Sequence, residues 1–347
     1  MTTLRVWMVA SLGLAGCGQT TSVAIEARTD NHATWPSAQK CQCVGCTCKT
    51  AAMIQAKPLW RLSNDPQMAG AIPRLESAQS PTGAPLILAV SQDHITGIEM
   101  APPFFTLEGP DLQGVTLWIS DAEHELFKVV IDSVSTQALH FWTGPAQSVE
   151  AYELSYLRVD PPDPGGSFAY VCSGQGTESD PLWGGAPHAA IVFSGDDIDL
   201  DHVTVAPPPP DLLQVGCPGS THARMHLSRH TEASNHDGQF PTTLDQRQAM
   251  LKMFSADYCG TGESFTTDNY PLRWIDSTGW QQPPLDLDPK HGQVSSIEAI
   301  WGPSGAVCLD TPRQVPRAQV PCALPACGDV TGWATQGHVI SANPVLL

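Results

Sequence analysis

A chain of 347 residues with 41% hydrophobic and 15% charged residues is long enough for one or two domains, and its 31 prolines and 29 glycines point to short elements joined by many turns. The formal net charge of −18 argues against nucleic acid as a partner and against a basic docking patch for anionic lipid, because the field repels phosphate.

The first residues carry a targeting signal. Arg5 precedes the apolar run Val6 to Leu12, and Gly13-Leu14-Ala15-Gly16-Cys17 follows, which is the layout of a secretory signal peptide ending in small residues. The run is too short to span a bilayer, which needs about 20 apolar residues. Leu14-Ala15-Gly16-Cys17 resembles the lipobox of bacterial lipoproteins, and the resemblance implies that residues 1–16 are removed and that Cys17 receives lipid. Two acyl chains hold a protein stably where one holds it marginally. The expected location is therefore an exported, membrane-anchored one, and Gly18 is compatible with outer-membrane sorting. Eleven cysteines less Cys17 leave an even number in an oxidising compartment, so disulfides are the default reading.

Residues 17–91 are rich in Ala, Thr, Ser, Pro and Gln and read as a disordered tether. Inside it, Cys41, Cys43, Cys46 and Cys48 have spacings that place four soft sulfurs around one Zn²⁺ or Cu⁺, if reduced. In an exported chain local bridges are the expected fate. Residues 92–206 read as β-rich: Gly114 to Ile119, Glu125 to Val134, Ala138 to Thr143 and Tyr152 to Val159 carry β-branched and aromatic residues between turn signals. Phe168 to Cys172 and Ala189 to Phe193 follow. Asp196, Asp197, Asp199 and Asp201 lack the Gly and the terminal Glu of an EF-hand loop, so a solvated loop is expected there.

Pro207 to Pro210 opens a second region, residues 207–313. His222, His226 and His230, followed by His236, would share one face if helical and could ligate a metal, but the intervening Ser, Arg and Thr disfavour that helix. The clear helix is Leu244 to Tyr258: Thr243 and Gln246 form a capping box and Gly260 supplies a stop. Strands are expected at Leu272 to Asp276, Ser296 to Trp301 and Ala306 to Leu309, and residues 314–347 read as a Pro-rich tail.

Ser255-Ala256-Asp257-Tyr258-Cys259-Gly260-Thr261-Gly262, then Ser264-Phe265-Thr266, Ile275-Asp276 and Ala299 to Cys308, resembles the ADYC-domain family of bacterial secreted lipoproteins. The match is specific over Gln248 to Arg313 and extends more weakly back to about Gly97. The resemblance carries no established activity. It implies that Cys172 and Cys217 correspond to upstream family cysteines. Where the family pattern has a cysteine on the preceding helix this chain has Met250, which puts the partner of Cys217 in question. Six downstream cysteines allow 15 connectivities; the preferred ones are Cys259 with Cys308 and Cys322 with Cys327. For Asp257 two readings stand side by side: a cap on the backbone N–H groups of Gly260 to Gly262, or a ligand-binding carboxylate beside Tyr258 and a histidine.

No metalloprotease, nucleophile-elbow, Walker or dinucleotide motif is present, which leaves enzymatic activity open and unsupported. The sequence thus predicts a mainly β fold of antiparallel strands, sandwich- or barrel-like, with one conspicuous helix and disulfide staples. The expected function is a lipid-anchored, non-catalytic binding or structural module without a cofactor. The alternative is a metal-handling or thiol-redox protein using the Cys41 to Cys48 cluster.

Overall fold

The computed structural model describes residues 52–55, 57–65, 72–160, 162, 166, 168–172, 188–209, 211–217, 219–235, 238–239, 241–266, 272–282 and 296–343. The strands are, in chain order, β1 (Met53–Ile54), β2 (Lys57–Pro58), β3 (Arg61–Ser63), β4 (Arg74–Gln79), β5 (Pro85–Ser91), β6 (His94–Glu99), β7 (Thr106–Glu108), β8 (Thr116–Ser120), β9 (Leu126–His140) and β10 (Ser148–Asp160). They continue as β11 (Ala169–Tyr170), β12 (Ala189–Phe193), β13 (Asp197–Asp199), β14 (Thr204–Ala206) and β15 (Leu212–Gly216). After helices α1 (Thr221–Leu227) and α2 (Leu244–Ser255) come β16 (Arg273–Asp276), β17 (Gln281–Gln282), β18 (Ser296–Gly302), β19 (Gly305–Leu309) and β20 (Val339–Asn343).

The main sheet closes on itself. Its order β3-β15-β12-β10-β9-β8-β4 returns to β3 through a parallel pairing of Ser63 with Arg74, so these strands form a barrel. Closure pairs both sides of each barrel stave and leaves the edge of the sheet to the hairpin that continues from β4. Side chains fill the interior at alternate positions, as a small barrel requires: Leu117 and Ile119 on β8, Phe127, Val129 and Ile131 on β9, Tyr152 and Leu154 on β10. The β5–β6 hairpin continues from β4 with β7 as its outer strand, and β1 and β2 add Ala52, Ile54 and Leu59 to the same core.

The strands β9 and β10 are too long for one core and serve two. Leu139, Val149 and Ala151 belong to a second core with α1, α2 and the cap sheet, whereas Phe127 to Ile131, Tyr152 and Leu154 belong to the barrel. Register shifts beside Ala151 and Leu154 let β10 change faces. All five residues of β12 are buried because its two faces divide between the cores: Ala190 and Val192 look into the barrel, Ala189, Ile191 and Phe193 into the cap. The cap sheet runs β17-β16-β20-β18-β19; Ala299 and Trp301 face α2, and Ile300 faces the opposite way, onto Cys327 and Trp333.

The fold is mainly antiparallel β and disulfide-stapled, as the sequence predicts. Three expectations are corrected. The tether reading of residues 17–91 fails from Ala52 onward, because β1 to β5 lie there and β3 and β4 are barrel staves. The low-pattern tail supplies β20, the central strand of the cap sheet. The cysteines pair as Cys259–Cys322 and Cys308–Cys327, with Cys172–Cys217, so neither Cys259–Cys308 nor Cys322–Cys327 forms. Cys308 lies on β19 with its side chain among Ile300, Ile340 and Trp333, on the sheet face away from α2. It cannot reach Cys259, which packs against the core on the helix side.

Candidate functional site

The family motif lies at the exit of α2. The helix starts with the expected capping box: the Gln246 N–H donates to Thr243 Oγ1 at 3.2 Å and the Thr243 N–H to Gln246 Oε1 at 2.7 Å. It ends earlier than Gly260, at Ala256 in the left-handed region (φ 50°), with Ala256 N–H bonded to Met253 O and Asp257 N–H to Lys252 O. These two bonds make a Schellman stop. Gly260 serves the packing of the turn instead, since a Cβ there would sit 1.9 Å from Ser304 O and only glycine lets this turn dock against the β18–β19 turn.

Asp257 is fully buried. Its Oδ1 accepts from Thr261 N–H (3.0 Å) and its Oδ2 from Gly262 N–H (2.9 Å) and from Lys252 Nζ (2.6 Å), itself almost fully buried. Of the two readings of this carboxylate, the backbone cap is the one realised, at Thr261 and Gly262. Lys252 supplies the compensating charge that a helix C-terminus demands. Beside it, Tyr258 Oη donates to Glu298 Oε1 (2.6 Å) and accepts from Arg313 N–H (3.0 Å). Glu298 holds Arg313 through both carboxylate oxygens (2.6 and 3.0 Å) and accepts from Ser341 Oγ (2.7 Å), which in turn accepts from Trp301 Nε1 (2.8 Å). Burial, with the Glu298 charge, pushes the Tyr258 hydroxyl well above its ordinary range. Tyr258 therefore stays protonated and serves as a donor.

The histidines form a second set. His226 Nε2 is 3.2 Å from Asp93 Oδ2 and its Nδ1 is 2.9 Å from Thr231 Oγ1, an acid–imidazole–hydroxyl order found in nucleophilic enzymes. Here His226 and Thr231 are fully buried, and the Thr231 hydroxyl oxygen also accepts from Ser234 N–H (3.2 Å), so the set is enclosed within the fold. His230 sits 3.1 Å from Asp276, whose Oδ1 caps Thr278 and Trp280 N–H groups; His222 is 3.2 Å from Ile198 O. Although His222 and His226 do lie on a helix, each ring is spent on a different partner, and no group of three or more His, Cys, Asp or Glu among the described residues is placed to hold a metal. His94 is the half-exposed member, 3.4 Å from Glu150, whose carboxylate takes the Tyr152 hydroxyl.

Of the four aspartates only Asp201 is exposed in a turn, as expected of a solvated loop; the other three are drawn into the fold. Asp197 and Asp199 pair with Arg61 at 2.8 and 3.5 Å, and buried Asp196 accepts from Glu232 N–H and lies 3.1 Å from Arg247 Nε on α2. A cleft of about 450 Å³ is lined by Leu75, Leu88, Val90, Leu212 and Leu213 together with Asn64, Ser194 and Asp211, and no member of the buried clusters described above is among its lining residues. Sequence reasoning missed Lys252, Glu298, Arg313 and Asp93. The signal for the first two was present: a single charge inside Met250-Leu251-Lys252-Met253-Phe254 and inside Ile297-Glu298-Ala299-Ile300-Trp301 has to find a buried partner. Cys17 and the cluster Cys41, Cys43, Cys46 and Cys48 lie outside the described residues.

Barrel, cap and interlocked buried networks define a class: a disulfide-stapled, mainly β protein with hydrogen-bonded polar networks in its interior. Three disulfides place it in an oxidising, exported environment, and no helix among the described residues is long and apolar enough to cross a membrane. The chain belongs to the ADYC domain family, whose sequence model matches residues 109–315, from the turn before β8 to just beyond Arg313, and so includes both helices and the cap strands up to β19 but not β20. No curated protein and no solved structure matches it.

Proposed function

We propose that this protein is a lipid-anchored exported lipoprotein whose folded part is a non-catalytic binding or structural module. The observation that carries the reading is the saturation of the family motif. Asp257, Tyr258, Glu298 and Arg313 are buried and bonded to one another or to backbone, so the residues that name the family hold the cap together and present nothing to a substrate. The signal-like N-terminus with Cys17 at its end supports the anchor, and the disulfides fit export.

Feeding cells a labelled fatty acid tests the anchor. Wild-type protein incorporates label and fractionates with membranes, whereas Cys17→Ala takes up none and is released as a folded exported protein. Absence of label on the wild type, or membrane retention of the alanine variant equal to the wild type, overturns the anchor.

A further inference from the structure

Five of the nine exposed large apolar side chains among the described residues lie on β5, β6 and the loop that follows. Ile87 and Ile98 are register partners across β5 and β6 and point away from the barrel, 55% and 44% exposed. The connection from β6 to β7, Met100-Ala101-Pro102-Pro103-Phe104-Phe105, is exposed throughout, with Met100, Phe104 and Phe105 at 57 to 60%. Single exposed apolar residues are ordinary, but a contiguous set of five on one hairpin end marks an interaction surface. The loop backbone is internally closed, Phe104 N–H donating to Ala101 O and Glu99 N–H to Phe105 O, and Phe104 takes φ 59°, which a bulky side chain rarely adopts. That geometry throws both rings outward instead of folding them onto the barrel.

We infer that this tip docks on the interface of a net-neutral, zwitterionic phospholipid bilayer. The inference rests on the anchored-lipoprotein reading for its setting. The occupant follows from exposure and charge. The tip is exposed from Met100 to Phe105 and has no charged residue from Met100 to Leu107, the kind of surface that enters an apolar interface. The charged residues that flank it in sequence are carboxylates, Glu99, Glu108 and Asp111, on a chain of net charge −18, so it matches a neutral headgroup layer and is repelled by an anionic one. Position agrees. The opposite end of the same hairpin, at Gln92 and Asp93, bonds to Ser194 and His226, so the tip lies at the hairpin's free end, away from the cap. Residues 18–51 can span at most about 120 Å, enough for the barrel to turn this end to the bilayer that holds Cys17.

Vesicle sedimentation of the mature chain, residues 17–347, carrying Cys17→Ala tests the tip without the signal segment or the acyl anchor. It sediments with phosphatidylcholine vesicles, Phe104→Ser/Phe105→Ser lowers the partition coefficient roughly tenfold or more, and adding phosphatidylglycerol weakens binding. The melting temperature of the double variant stays with its parent, since neither ring packs in a core. No sedimentation, equal sedimentation of the variant, or binding strengthened by phosphatidylglycerol overturns the inference. So does gel filtration that shows a dimer split by the double substitution, which assigns the patch to a second copy. Fatty-acid labelling of wild-type Cys17 is read separately, so loss of the anchor and loss of the tip are distinct results.

Discussion

At Asp257 both carboxylate oxygens are in use, one on Thr261 N–H and the other on Gly262 N–H and Lys252, and the whole group is buried. Asp257→Ala strands two backbone donors and an unpaired buried ammonium, so it costs about 3 to 5 kcal/mol. Asp257→Asn is only slightly milder: its single oxygen serves one donor and its amide faces the other. Adding Lys252→Met to Asp257→Asn recovers most of the loss, because the uncompensated charge is gone. Urea unfolding of the four proteins decides it; coincident curves for Asp257→Ala and wild type would show that the motif is not a staple. The structural role of Asp257 was legible from a carboxylate beside a helix stop and a glycine-rich turn. Its partner was not, since nothing in the sequence says that Lys252 turns inward where Lys side chains normally turn out.

Local signals placed the elements whose determinants are local. Thr243 and Gln246 fix the start of α2 on their own, and the alternating residues of β8 to β10 declare a sheet with a buried face. Arg74 to Gln79 escaped notice because its burial depends on strands far along the chain that no local pattern reveals, and Val339 to Asn343 escaped for the same reason. Disulfide pairing failed likewise: sequence spacing does not say which face of a sheet a cysteine occupies. The bridges Cys259–Cys322 and Cys308–Cys327 span separations of 63 and 19 residues and interleave, cross-tying the tail to both α2 and β19. Loop-closure entropy assigns the longer one about 4 kcal/mol and the shorter about 3 kcal/mol. Cys259→Ser and Cys322→Ser should each lose about the larger amount, with the double variant no worse than either. Non-reducing peptide maps recover the two linked pairs, and a peptide joining Cys259 to Cys308 would refute this topology.

The barrel and the cap share three strands, and ionisable groups sit buried where they meet, which makes pH a probe of the whole molecule. Burial pushes the Asp196 carboxyl up to about 6 from 3.8, with the Arg247 charge and the Glu232 N–H only partly offsetting it. A folded-state value above the unfolded one means that the group favours folding while protonated. Its contribution is complete below pH 3.8 and is lost as pH rises through about 6. Burial pulls His222 down to about 4 from 6.5, so its contribution is complete above 6.5 and is lost as pH falls toward 4. Between pH 4 and 6 these two groups oppose each other and flatten the wild-type profile. Asp196→Asn removes one of them. The variant should match the wild type near pH 4, gain on it through pH 6, and exceed it by about 3 kcal/mol at pH 7, the worth of a shift of about two pKa units. On its own, the variant should become more stable from pH 4 to 6.5, as the unfolded chain loses the His222 proton that the folded state sheds near pH 4. Urea midpoints at four pH values across this range measure both. A variant less stable than wild type at pH 7 would mean that the Asp196–Arg247 pair outweighs the cost of burying the carboxylate, and that barrel and cap are clamped by charge at this point instead of by the apolar strands they share.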